Sequence, residues 1–179
     1  MKQTLQFTVL TFFAVMPAAA EIPRGGGCAV PSLGVSLGII SSVTATPGTI
    51  SFQANNPDSG VVSGSTTATV GWTVTLGSRL LNWTISVQAS SLAFTGCPTV
   101  PVSAVRAICT SAGVSGGGGT GTCSGPVTLS TLAQQVASGS EGDLIQSYLV
   151  ILNYTLAESW RYVASSSCTL TLTYTINAP

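Results

Sequence analysis

Few residues in this chain could do chemistry: five cysteines, five carboxylates and no histidine in 179 residues. Without histidine, the usual general base of Ser-His-Asp and Cys-His sites is missing, and so is the commonest metal ligand. Glu141 and Asp143 stand two apart, a spacing that on a strand would put both carboxylates on one face for acid–base cleavage of a glycosidic bond, with Glu158 as a further acid. Their setting, Ser138-Gly139-Ser140-Glu141-Gly142-Asp143, is turn-like and has no aromatic neighbour, so they read as solvated loop carboxylates. Gly116-Gly117-Gly118-Gly119-Thr120-Gly121 lacks the lysine of a phosphate-cradling loop and no helical pattern follows it. It reads as a flexible hairpin tip. The expectation is a protein with no catalytic residue, no metal and no cofactor.

The cysteines Cys28, Cys97, Cys109, Cys123 and Cys168 are irregularly spaced with no C-x-x-C pair, which points away from zinc and towards disulfides. Two bridges and one spare thiol is the simplest count, and sequence leaves the pairing open. A bridge from Cys109 to Cys123 across the glycine-rich tip is the first guess. Cys97 with Cys168 would follow, leaving Cys28 as the candidate free thiol.

Disulfides need an oxidising compartment, and the N-terminus supplies a route. Lys2 precedes an apolar run from Leu5 to Val15, then Pro17 and Ala18-Ala19-Ala20, the pattern of a cleavable signal peptide. The run is shorter than the roughly 20 residues that cross a bilayer, so no membrane span is expected after cleavage. Residues 1–20 are read as the leader, 21–42 as a lead-in and first strand, and 43–179 as the main domain. Loss of Lys2 leaves four arginines (Arg24, Arg79, Arg106, Arg161) against five acids, a net charge of −1. Four scattered arginines cannot form a phosphate-binding footprint, so nucleic acid is not an expected partner.

The elements behind these residues read as strands. From Thr66 to Leu76 the apolar Ala68, Val70, Trp72 and Val74 alternate with Thr67, Thr69, Gly71 and Thr73, and after Gly77-Ser78-Arg79 the phase restarts with Leu81, Trp83, Ile85, Val87 and Ala89. The pair reads as a β-hairpin. Cys168 to Ile176 alternates with threonines, and Gln146–Leu156 carries apolar residues on both faces, as a central strand covered on both sides would. Shorter strands are expected near Val35–Thr44, Thr49–Ala54, Val100–Cys109 and Val127–Val136. About eight strands with no helix predict an all-β antiparallel sandwich. Trp72 and Trp83 fall on apolar faces and belong in the core, whereas Trp160, beside Arg161 near a turn, is the candidate surface aromatic. Asn82-Trp83-Thr84 and Asn153-Tyr154-Thr155 fit the glycosylation pattern within strands.

Residues 43–179 resemble the WxL-type domains of bacterial cell-surface proteins. The resemblance rests on Trp83-Thr84-Ile85 and on Leu172-Thr173-Tyr174-Thr175-Ile176 followed by Asn177-Ala178-Pro179, with family-like stretches at Val102–Val105 and Thr128–Val136. Ile stands for Leu in both motifs and Tyr174 for the second Trp, and the cysteines lie outside the pattern. The resemblance implies surface display and non-covalent attachment to cell-wall glycan, with Trp83, Ile85, Tyr174 and Ile176 as the motif positions. The expected protein is therefore secreted, extracellular or cell-surface bound and non-catalytic, its partner cell-wall glycan or another surface protein. Two alternatives stand beside this reading. A low-charge, threonine-rich chain suits self-association as a pilus-like or coat subunit, and a carbohydrate-binding or glycoside-cleaving protein would use Glu141, Asp143 or Glu158.

Overall fold

The computed structural model describes residues 3–8, 40–54, 60–75, 81–116, 118–142, 145–162 and 168–177. These hold fourteen strands: β1 (Gln3–Thr8), β2 (Ile40–Thr46), β3 (Thr49–Ala54), β4 (Val61–Ser63), β5 (Ala68–Val74), β6 (Asn82–Ala89), β7 (Ala93–Phe94), β8 (Cys97–Pro101), β9 (Val105–Ser115), β10 (Thr120–Cys123), β11 (Val127–Thr128), β12 (Gln134–Ser140), β13 (Gln146–Ala157) and β14 (Leu172–Asn177). The expected eight are exceeded because short bridging strands and a 3-10 turn at Val102–Ala104 subdivide the chain.

Two antiparallel sheets form the sandwich. One runs β11-β9-β13-β5-β2, with β4 on the end of β13, and the other runs β10-β12-β6-β14. The alternating threonines explain why each sheet has one wet face. Along β5 and β6 the apolar residues are buried and the intervening ones are half-buried or exposed. On β13 the even-numbered residues from Gln146 to Leu156 are buried while Leu149 is 45% exposed. This corrects the expectation that β13 is covered on both sides: it is central in its sheet, yet its Leu149 and Ile151 face lies outside the sandwich core.

The expected hairpin of β5 and β6 is also corrected. The two strands lie in opposite sheets and meet face to face, with the Trp72 and Trp83 ring centroids 5.0 Å apart. Tyr148 on β13 stacks on Trp72 at 5.1 Å and meets Trp83 edge-on at 5.5 Å. Likewise β9 and β10 lie in opposite sheets, so the glycine-rich segment between them is a crossover rather than a hairpin tip. Gly116 and Gly118 take φ of +92° and +81° within it, a region closed to most side chains.

Two bulges reset the inward phase. In β9, Cys109 pairs with Leu152 but Ser111 with Ile151, so Thr110 is the extra residue and the inward set passes from Val105, Ala107 and Cys109 to Ala112 and Val114. In β12 the register shifts between Gln135 and Ala137, leaving Val136 and Ala137 both buried. The expected Val127–Val136 strand is two pieces, β11 and the start of β12, separated by residues 129–133. The expected Val100–Cys109 strand is broken by the 3-10 turn and belongs to β8 and β9. Of the expected Val35–Thr44 strand, β2 supplies the C-terminal part, and residues 35–39 lie outside the described residues.

One inward row carries the closest packing. Trp83 pairs with Gly139, which pairs with Gly121, so a single large ring faces two positions without side chains. A Cβ at Gly139 would overlap the Thr120 carbonyl and stand 2.5 Å from Trp83 Cζ2. Gly139→Ala is therefore expected to cost about 3 kcal/mol through overpacking. Gly125→Ala, where a Cβ meets nothing within 4 Å, should change stability by less than about 0.5 kcal/mol. Urea midpoints of the two variants, measured side by side, check the contrast.

Candidate functional site

The motif positions are interior. Trp83 and Ile85 are fully buried, Tyr174 is 4% exposed and Ile176 8% exposed. Ile85 pairs with Ile176, and Val87 with Tyr174, in adjacent strands of one sheet. The Trp83 indole Nε1–H donates to the Thr120 carbonyl at 3.1 Å, and the Tyr174 and Tyr154 hydroxyls share a hydrogen bond of 2.6 Å across the two sheets. These four residues join sheets and strands to one another. Trp160 is placed as expected, in a turn after β13 and 74% exposed.

Glu141 is the main departure from the sequence reading. It is 1% exposed, so it is not a solvated loop carboxylate, and Asp143 lies outside the described residues. The buried end of β13 explains its position. Gln146, also 1% exposed, accepts from the Tyr148 hydroxyl at 2.5 Å and from the Gly142 N–H at 3.1 Å, while the Glu141 N–H donates to the Leu81 carbonyl. Burial first, then the Glu141 carboxyl beside it, pushes the Tyr148 hydroxyl above its usual pKa. The Trp72 Nε1–H and the Gln146 Nε2–H2 meet no acceptor among the described residues. This polar cluster closes one end of the core beneath the aromatic trio. The one sequence signal for it was the phase of β13, because Gln146 falls in step with Tyr148 and Val150 and so must point inward.

The accessible chemistry lies on the outer faces. On the four-stranded sheet, adjacent strands align Asn177, Thr84, Ser138 and Thr122 in one row, and Asn82, Ser140 and Thr120 in the next. All are half-buried or exposed, and no charged or large apolar side chain interrupts them. Thr120 Oγ1 and Ser140 Oγ lie 2.8 Å apart, so part of the array is held by its own hydrogen bonds. On the six-stranded sheet the rows are Thr73, Ser147 and Ser115, then Thr44, Gly71, Leu149 and Gly113. That face carries aliphatic groups at Leu149 and Ile151 and the exposed Arg106 near its margin. Both sequon asparagines are exposed, and Asn82 is the first residue of its strand rather than an interior one.

The four described cysteines form two disulfides. Cys97 is joined to Cys168 and Cys109 to Cys123, each pair with Cα atoms 5.3 Å apart, and Cys28 lies outside the described residues. Cys109–Cys123 ties β9 in one sheet to β10 in the other. Cys97–Cys168 ties β8 to the segment before β14. Among the described residues, no group of three His, Cys, Asp or Glu side chains could hold a metal ion, and no helix is long and apolar enough to cross a membrane. No family model matches the chain, and neither the curated proteins nor the solved structures contain a match to it.

Two predictions follow from these contacts. Non-reducing peptide mapping should recover Cys97–Cys168 and Cys109–Cys123, and replacing either pair by serine should lower stability. In the chain-entropy model the 14-residue separation is worth about 3 kcal/mol and the 71-residue separation about 4 kcal/mol. A Cys28 peptide linked to any of these four would contradict the pairing. The second concerns alkali. Burial pushes Tyr174 up to about 12, although its hydrogen bond with Tyr154 lowers it, and burial raises Tyr154 well above its usual value. Both stay protonated in the folded protein where an unfolded tyrosine, with a pKa of about 10, has ionised. Their stabilisation is thus complete below about pH 10 and is lost as pH rises towards about 12. Denaturant midpoints should fall steeply across that window, and Tyr154→Phe should reduce the slope.

Proposed function

We propose that this chain is an exported, non-catalytic surface protein that associates with the bacterial envelope through the outer face of its four-stranded sheet. The observation that carries the reading is that face itself: rows of hydroxyl and amide groups with no charge. Such a surface offers donors and acceptors to a neutral polar polymer and little attraction to ions or nucleic acid. The leader-like N-terminus, the two disulfides and the WxL-like strand ends support export and display. Because the motif residues Trp83, Ile85, Tyr174 and Ile176 are packed inside, the reading assigns them to the fold and gives the contact to Thr84, Ser138, Thr122 and their neighbours. Trp160, exposed beyond the end of β13, is a second point at which a sugar ring could stack. The glycoside-cleaving alternative loses its best acid, since the buried Glu141 is out of reach of a polysaccharide in this conformation.

The test is co-sedimentation of the exported protein with purified peptidoglycan. Retention should change little between low and moderate salt, because no ion pair is involved. Thr84→Val combined with Ser138→Ala and Thr122→Val removes three hydroxyls at nearly constant shape. At about 1 kcal/mol for each hydrogen bond, retention should fall by more than tenfold. Recovery of the unsubstituted protein in the supernatant at both salt levels would refute the wall-binding reading.

A further inference from the structure

Strand β3 has two edges. On one, the Ser51 carbonyl accepts from the Ser65 N–H at 2.8 Å and the Ser51 N–H donates to Ser65 Oγ at 3.1 Å. Backbone groups alternate in direction along a strand, so those of Ile50 and Phe52 turn the other way, towards β1. There the pairing is antiparallel, with Phe7 opposite Ile50 and Leu5 opposite Phe52. The side chains of Ile50 and Phe52 are 1% and 0% exposed. Every residue of β1 lies in the segment read as the leader. Export would remove the strand that completes this ladder, leaving backbone groups of a buried strand in need of partners, at a cost the fold does not normally carry.

We infer that in the exported protein this edge of β3 is filled by residues 32–39 of a second copy of the chain. The inference rests on the export reading above. The sequence Ser32-Leu33-Gly34-Val35-Ser36-Leu37-Gly38-Ile39 alternates large apolar with small residues, the pattern of a strand that buries one face. Set antiparallel to β3, it puts Val35 opposite Phe52 and Leu37 opposite Ile50, in the places of Leu5 and Phe7. Geometry excludes the same chain as donor in that register. Ile39 would have to lie opposite Gly48, about 5 Å away. It is bonded to Ile40, and β2 carries the chain from Ile40 to Thr46 in extended form, on the order of 20 Å. Gly48 follows Thr46 by two residues, at most about 7 Å. Allowing about 4 Å between Ile39 and Ile40, at least about 9 Å separates Ile39 from Gly48, nearly twice the strand spacing. A donor segment that can reach only a neighbour's acceptor makes a head-to-tail contact, which propagates into chains or filaments unless it closes into a ring.

The experiment uses the protein recovered from outside the cell, with its N-terminus fixed by intact mass. Light scattering at high concentration and negative-stain microscopy should show oligomers or filaments. Val35→Asp with Leu37→Asp should convert them to monomers, since each acid would face the apolar side of β3. An excess of synthetic peptide covering residues 32–39 should shorten the wild-type oligomers by capping acceptors, a readout that does not depend on the variant folding. If Met1 is retained, β1 occupies β3 and the inference falls together with the export reading. With the leader absent, a monomeric protein overturns the inference and leaves export standing. Oligomers that persist through both the substitutions and the peptide do the same.

Discussion

An indole ring can lie across a neighbouring strand only where that strand carries no side chain, and Gly139 supplies that gap beside Trp83. The ring then reaches the Thr120 carbonyl two strands away and meets Trp72 and Tyr148 of the opposite sheet. Gly121 extends the same row. A Cβ there would overlap the Ala112 carbonyl of β9, so the glycine is what lets the β10 edge close onto the facing sheet. The Cys109–Cys123 bridge joins β9 and β10 where the sheets converge. Three aromatic residues, two glycines and one disulfide thus set the spacing of the sandwich, and aromatic contacts of this kind add about 0.5–1.5 kcal/mol each beyond the area they bury.

That arrangement separates the roles of the residue types. Trp72, Trp83, Tyr148 and most aliphatic groups of the strands fill the interior, where the Tyr154 and Tyr174 hydroxyls satisfy each other. Threonine, serine and asparagine are left to clothe the four-stranded face. Only Arg106, Glu141, Glu158 and Arg161 are charged among the described residues, and Glu141 is buried. Neither charge nor an apolar patch marks a binding site on the four-stranded face. The chemistry of that face is hydrogen bonding, repeated at the spacing of the strands.

Much of the fold was legible because the chain keeps period two wherever a strand is regular. Trp72, Trp83, Tyr148 and Tyr174 were placed inside by alternation, and the all-β sandwich followed from it. What alternation could not give was partnership. β5 and β6 look like a hairpin, since a short glycine-containing segment joins two well-patterned strands, yet they face each other across the core. Pattern fixes which face of a strand is apolar and is silent on whether the next strand pairs beside it or packs opposite it. The 3-10 turn at Val102–Ala104 breaks one expected strand and the stretch 129–133 another, while the bulges at Thr110 and Val136 reset the inward phase within β9 and β12. Glu141 was misplaced for a different reason: a carboxylate in a Gly-Ser segment reads as solvated unless the inward phase of Gln146 in the next strand is weighed with it.

Placing successive strands in opposite sheets also gives the disulfides their meaning. A hairpin forms from local contacts, whereas a crossover must wait until the facing sheet exists to receive it. β9 and β10 are such a pair, and the segment between them is rich in glycine, which raises the entropy lost when it is ordered. The Cys109–Cys123 link spans that crossover and removes much of this loss from the unfolded side of the balance. Cys97–Cys168 acts at longer range. It holds β8 against the segment leading into β14, the edge strand of the four-stranded sheet, whose preceding described strand, β13, lies in the other sheet. The two bridges therefore sit where local sequence contributes least to assembly.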